Sequence, residues 1–218
     1  AVNLDASSVG NLKLTTAGGG TIDVTGNSTV AGTLTLTAAG AITDAGAFTL
    51  AAGTLTLSAA SNIGVGGQRL RTNVANLTAN TTGANVFITE ASGVMLGTSS
   101  AGILFDLSVG GNFTTSGAST ITAANIAIAT TGGGNDITVN SDFTAPTSLT
   151  LTAADAITWT AGTLTSATVT LASTGGGNIG ASGNPILTTA CSLAVSTTGS
   201  GSAFVQETDS VNLNFSSV

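Results

Sequence analysis

An internal repeat is the feature that most constrains how this 218-residue chain folds. Residues 34–43 read LTLTAAGAIT and residues 149–158 read LTLTAADAIT, so nine of ten letters agree at a shift of 115 (149 − 34). Residues 86–96 match residues 203–213 at a shift of 117 (203 − 86). A shift that drifts by only two over such a distance indicates a duplicated block.

A shorter period lies inside this block, because apolar and polar residues alternate in short segments that end at small residues. The apolar centres of these segments include Leu14, Leu36 and Leu57 in the first half and Ile128, Leu151 and Leu171 in the second. Neighbouring centres are 20 to 23 residues apart. Alternation of this kind predicts β-strands with one buried face. A tandem unit of about 20 residues is the signature of a solenoid.

The pattern V-x-L-x-x-S-S divides the chain into units. It opens at positions 2, 94 and 211, which gives units 2–93 and 94–210 and the start of a third unit at 211–218. The first two units differ by 25 residues (117 − 92), which is about one coil. The extra stretch lies around residues 103–124. Whole-coil insertion preserves strand stacking, so a solenoid tolerates it.

These periods predict an all-β fold: one right-handed parallel β-helix, or β-solenoid, over residues 1–218, with about nine or ten coils of 20–24 residues. Glycine-rich corners such as TAGGG and TTGGG supply tight bends. The right hand is expected because nearly all parallel crossovers in one sheet have it. A compact sandwich of the same strands is the alternative.

The charge balance excludes several classes of partner. Formal net charge is −7, and the basic residues are Lys13, Arg69 and Arg71. Because a phosphate backbone needs clustered cations, we expect no nucleic-acid partner. No apolar run in the sequence approaches the length that spans a bilayer, so we expect no membrane span.

Chemistry-bearing residues are sparse, so we predict that the protein is not an enzyme and has no catalytic residue, cofactor or metal. The ten acidic residues are scattered and histidine is absent from the sequence, whereas general acid–base catalysis needs held pairs. GGGTIDV at 18–24 resembles one copy of a calcium-binding nonapeptide, which leaves metal binding as an alternative. The single cysteine, Cys191, is expected to be a small buried side chain.

Two sets of residues are predicted to have structural roles. Glu90 follows Arg69 and Arg71 by about one coil, so we predict a partly exposed ion pair between Glu90 and one of these arginines. The terminal segments VNLD and VNLN match each other and resemble ordinary coil starts rather than caps. The residues predicted to form an end-to-end stacking interface are Val2, Leu4, Val211, Leu213 and Phe215.

The block NIG…L…TTG…VFITE…V-x-L, flanked by coils such as LTLTAAGAI, resembles the repeats of large secreted bacterial adhesins, including filamentous haemagglutinin and related two-partner-secretion exoproteins. The resemblance covers nearly the whole chain. It implies a right-handed parallel β-helix and a bacterial cell-surface or extracellular location. The NPNG- and NPNL-like motifs of that family's secretion domain do not occur in this sequence, and the resemblance implies no site residues.

The predicted function is therefore structural: a segment of an extracellular or cell-surface bacterial filament or adhesin stalk. Its expected partner is itself, either as a head-to-tail homopolymer or as the continuation of a longer repeat chain. The alternative is an adhesin module that binds surface glycans or host or abiotic surfaces through outward Thr and Asn ladders. An exposed Trp159 in a groove would favour this alternative.

Overall fold

The computed structural model describes residues 1–5 and 9–215, and every regular element in them is a β-strand. The strands are β1 (Val2–Leu4), β2 (Leu12–Thr15), β3 (Ile22–Val24), β4 (Ser28–Ala38), β5 (Ile42–Asp44), β6 (Thr49–Ala59), β7 (Leu70–Thr81), β8 (Val86–Glu90), β9 (Val94–Leu96), β10 (Ser99–Ser100), β11 (Leu104–Val109), β12 (Phe113–Thr115), β13 (Thr120–Thr122), β14 (Asn125–Thr130), β15 (Ile137–Asn140), β16 (Asp142–Ala153), β17 (Ile157–Ala161), β18 (Leu164–Ser173), β19 (Ile186–Thr197), β20 (Val205–Glu207) and β21 (Asn212–Phe215).

The strands stack in parallel, each on the strand one coil earlier. Leu14 pairs with Leu36 and Leu36 with Leu57, as the sequence period predicts. The pairing of Ile128 with Leu151, and of Leu151 with Leu171, confirms the same period in the second half. The result is a β-solenoid of about ten turns. Parallel pairing between coils rules out the sandwich alternative, whose sheets are antiparallel.

The core runs along the inside of the coils as columns of apolar side chains. Alternate residues of each strand point inward, so β11 and β14 both show a strict intermediate–buried alternation. Leucine, isoleucine and valine fill most of the columns. The three largest fully buried side chains are Phe105, Phe113 and Phe143. Full burial of side chains of this size contributes roughly 1.5–3 kcal/mol each.

The inserted stretch forms one whole coil, as predicted. Its strand β11 lies between β8 and β14, with Phe105 paired to both Val86 and Ile126. Strand β12 lies between β9 and β15, and β13 between β10 and β16. Because every strand of the insertion has a neighbour on both edges, the added coil leaves the stack unbroken.

Asparagine and aspartate at the corners link consecutive coils through hydrogen bonds that the sequence pattern did not predict. A side-chain Oδ1 accepts a hydrogen bond from a backbone N–H about one coil later, at 2.7–3.0 Å. The acceptors are Asn11, Asn27, Asn62, Asn112, Asp136, Asp142 and Asn178. Each bond satisfies an N–H that the corner removes from the regular strand ladder.

The strands exchange partners where the first unit meets the second. The C-terminal half of β7 is covered by two short strands, since Leu77 pairs with Leu96 of β9 and Asn80 with Ser100 of β10. On the other side, β8 alone covers both Ile63 and the start of β7. At this junction two short strands, β9 and β10, therefore cover one half of β7, whereas the single strand β8 covers two separate segments of the preceding coil.

Candidate assembly interface

The first coil presents two strand edges with no partner among the described residues. Strand β1 pairs with β3, and β2 pairs with β4, each through one edge. Val2 is 40% exposed, whereas Leu4 is buried. Leu12 and Leu14 are half-buried against the core. Val2 and Leu4 are the N-terminal residues of the predicted stacking interface, and that prediction did not include Leu12 and Leu14.

The last coil presents the matching edge. Strands β20 and β21 both pair with β19 through one edge. Leu213 is 53% exposed and Val211 is half-buried. An open cavity of about 260 Å³ lies at this end. It is lined by Leu193, Val195, Ala203, Val205, Glu207, Val211 and Leu213. The backbone of Phe215 pairs with Val195, and the side chain of Phe215 lies outside the described part.

The junction between the units shows how such an edge is covered inside the molecule. Strand β9 has β7 on one edge, where Leu96 pairs with Leu77, and β12 on the other, where Val94 pairs with Phe113. Strand β21 has the equivalent lower neighbour, β19, where Leu213 pairs with Leu193. Within the described part of the chain, β21 therefore corresponds to a β9 that has no upper neighbour.

One glutamate lies at the unit junction, and a second lies at the equivalent position of the last coil. Glu90 is fully buried and accepts hydrogen bonds from the Thr72 hydroxyl at 2.6 Å and from the Val74 N–H at 3.1 Å. Glu207 accepts the corresponding bonds from the Thr188 hydroxyl at 2.7 Å and the Ala190 N–H at 3.1 Å. The N–H groups thus find acceptors where the strand bends.

The predicted ion pair between Glu90 and an arginine is wrong. Glu90 does lie one coil from Arg71, but its pairing partner is Thr72, while Arg71 pairs with Thr89. Successive residues of a strand point to opposite faces, so Glu90 points inward and Arg71 outward. A one-residue difference in register therefore separates the carboxylate from the guanidinium.

Both arginines bind aspartates that spacing did not reveal. The Arg71 Nη1 lies 3.0 Å from Asp44 Oδ2, whose side chain is fully buried. The Arg69 Nη1 lies 2.6 Å from Asp106 Oδ2. Arg69 also donates from Nη2 to the Ile88 carbonyl at 2.8 Å. It thereby clamps β8 to β11, across the edge where the inserted coil begins.

A polar ladder runs along the outside of the solenoid. Its members share one stacked outward position in successive coils and are Thr15, Thr37, Ser58, Asn80, Ser100, Thr122, Thr144, Thr165, Thr189 and Thr208. Ser100 donates to the Asn80 side chain at 2.9 Å, so the ladder crosses the unit junction. In the column beside it, Thr35 stacks on Thr56.

A shallow groove of about 380 Å³ follows this ladder in the second unit. Its lining includes Thr144, Thr165, Thr189, Pro146 and Cys191. The expectation of a buried cysteine is wrong: Cys191 is exposed, because it follows the inward Ala190 at a corner where the chain faces solvent.

Trp159 does not line this groove. It is half-buried against the core, and its Nε1–H donates to the Gly162 carbonyl at 2.8 Å. The acidic residues remain dispersed. In residues 1–5 and 9–215 no three side chains among His, Cys, Asp and Glu are grouped to hold a metal ion. Asp23, the acid of GGGTIDV, accepts a hydrogen bond from Thr43.

Comparison with protein-family models, with curated proteins and with solved structures yields no match to this chain. The class is therefore defined by the fold itself, a parallel β-solenoid. Over the described ranges, no helix is long and apolar enough to cross a membrane.

Proposed function

We propose that this chain is a structural segment of an extracellular or cell-surface bacterial filament or adhesin stalk, built to stack end to end on further coils. The observation that supports this proposal most is the pair of open ends. Apolar residues such as Val2 and Leu213 remain exposed there, while the equivalent β9 is covered on both edges inside the molecule. An open strand edge is a template for further pairing.

The continuous hydrogen bonding between coils also supports a load-transmitting rod. Backbone hydrogen bonds, the polar ladder and the corner side chains all run parallel to the stack, and each links one coil to the next. The scarcity of basic residues adds durability in a protease-rich setting. Trypsin-like enzymes cleave after Lys13, Arg69 or Arg71 in this sequence, and both arginines are held in ion pairs.

Electron microscopy of the purified polypeptide tests the proposal. We expect continuous fibres with an axial repeat of roughly 45 Å, since nine or ten coils stack at about 4.8 Å each. Fixed-length rods much longer than this in the native source material would instead assign the chain to a longer covalent array. Single short rods that do not associate at any concentration would contradict end-to-end stacking.

Adhesion is the second candidate, and the groove beside the polar ladder favours it. Stacked hydroxyls of Thr144, Thr165 and Thr189 face this groove at a regular spacing. Hydroxyls in such an array can hydrogen-bond glycan hydroxyls. We expect a glycan microarray to show binding that Thr165→Val abolishes, with Thr56→Val, on the ladder-adjacent face of the first unit, as the matched control. Equal binding by both variants would contradict the groove as the site.

A further inference from the structure

We infer that a second copy of this chain docks on the C-terminal coil by strand exchange, with its β1 taking the place that β21 occupies on β19. This inference rests on the proposed function and specifies the joint. Strands β1, β9 and β21 occupy the same position in the unit, within segments that read V-N-L, V-M-L and V-N-L from residues 2, 94 and 211.

The three equivalent strands differ in which edges are paired. Strand β9 has neighbours on both edges. Strand β1 has an upper neighbour, since Val2 pairs with Ile22, and lacks a lower one among the described residues. Strand β21 has the reverse arrangement, because Leu213 pairs downward with Leu193. A β1 strand placed on β19 would therefore recover both neighbours, as β9 has.

The next strand of the incoming copy determines the register. Strand β2 corresponds to β14, because Leu12 and Leu14 pair with the segment LTLT at 34–37 as Ile126 and Ile128 pair with LTLT at 149–152. Within the molecule, Ile126 stacks over Val86 with Phe105 of the inserted coil between them.

Strand β20 corresponds to β8, because Val205 pairs with Ile186 as Ile88 pairs with Leu70. Omitting the inserted coil, as the first unit does, places Leu12 opposite Ala203 and Leu14 opposite Val205. Leu12, Leu14 and Val205 are half-buried apolar residues that this joint would cover.

Strand β21 competes for the same edge in this arrangement. It has the VNL sequence of β1, so its backbone pairing with β19 is closely matched by that of an incoming β1. However, β21 brings no coil above it in the described structure, and Leu213 stays 53% exposed. An incoming β1 brings its own β3 and a complete core, so exchange covers apolar surface that β21 leaves in water.

Register-specific disulfides test the joint. In a Cys191→Ala background, the outward residues Lys13 and Phe204 are each replaced by cysteine, since the inferred register makes them direct neighbours. Parallel strands lie about 4.8 Å apart, within the range that a disulfide bridges. We expect oxidation of the 218-residue chain to give a ladder of covalent oligomers. Ser108→Cys with Ala129→Cys, which pair within the chain, serves as the intramolecular control.

Two further variants make the result decisive. Lys13→Cys with Gln206→Cys is displaced by two residues and should give no oligomers; equal cross-linking of both pairs would overturn the register. Deletion of residues 211–218 removes the competing strand and should raise the yield from the 13/204 pair several-fold. An unchanged or lower yield would overturn strand exchange.

The outcomes also separate this inference from the proposed function. Fibres that form without cross-links at 13/204 would refute the joint and leave end-to-end stacking intact. Single rods in microscopy together with no cross-links would refute both.

Discussion

The junction between the two units and the C-terminal end of the molecule have equivalent strands in an equivalent register, yet they differ in burial. At the internal junction Leu96 is fully buried, whereas its counterpart Leu213 is 53% exposed. Glu90 is fully buried, whereas its counterpart Glu207 is half-buried, although each accepts a hydrogen bond from the equivalent threonine, Thr72 or Thr188. The difference is the coil that lies above the internal junction. Much of a coil's stability therefore comes from its neighbour, as nearest-neighbour models of repeat proteins assume.

The largest expected contrast is between Leu96→Ala and Leu213→Ala. Truncation of the buried Leu96 should lower the free energy of unfolding by about 3 kcal/mol, because it leaves a cavity. Truncation of the exposed Leu213 should cost under roughly 1 kcal/mol. Urea denaturation followed by circular dichroism measures both. Equal losses would mean that the terminal coil is already covered, as a self-associated chain would make it.

The next contrast compares the two glutamates. Glu90→Ala leaves the buried Thr72 hydroxyl and Val74 N–H without their acceptor, at a cost of about 2–3 kcal/mol. Glu207→Ala should cost about 1 kcal/mol, because Glu207 is half-buried and its removal would open a path for water to Thr188 and Ala190, which are themselves buried. The midpoint of urea denaturation, with Glu90→Gln as a control that keeps one acceptor oxygen, tests this. A larger effect of the Glu207 variant would contradict the comparison.

A smaller effect is expected at the Arg69 clamp, which the terminal junction lacks because Pro185 stands in the matching position. Arg69→Met keeps the aliphatic stem but loses the bonds to Asp106 and the Ile88 carbonyl. We expect a loss of about 1.5 kcal/mol, in line with charge-assisted hydrogen bonds. Hydrogen exchange of the β8 and β11 amides should accelerate locally. Uniform acceleration along the solenoid would argue against a clamp at this edge.

The smallest contrast concerns the corner side chains. Asn112→Ala removes the acceptor of the Asp136 N–H and should cost about 1 kcal/mol. Asn178→Ala removes the equivalent bond to Ser202 in the last coil and should cost less, since that coil has one neighbour. Asn112→Asp retains the acceptor and controls for the loss of the side chain. The thermal unfolding midpoint should be lowest for Asn112→Ala, higher for Asn178→Ala and highest for Asn112→Asp.

The coil period could be predicted because it is written in local alternation. Leu14, Leu36 and Leu57 stack as their spacing indicates, and the inserted coil at 103–124 adds one complete layer. The ion pair could not be predicted by spacing alone. Glu90 and Arg71 lie on neighbouring coils, but the register pairs Glu90 with Thr72, and one residue decides whether a side chain faces the core or solvent.

The corner bonds gave a weaker signal in the sequence. Asn112 and Asn178 each accept a hydrogen bond from the N–H of the residue 24 positions later, a spacing that can be found once the coil length is known. The exposure of Cys191 had no such signal, because it depends on which side of a corner the residue lies.

The sequence by itself determined the repeat, the parallel stacking and the apolar columns, since these follow from a period of two within strands and about twenty between them. Only the tertiary structure decided which strand covers which at the unit junction, where β9 and β10 together cover the C-terminal half of β7. It also decided the partners of Arg69, Arg71 and Glu90. Both depend on the register between consecutive coils, which a pattern of residues within one coil does not determine.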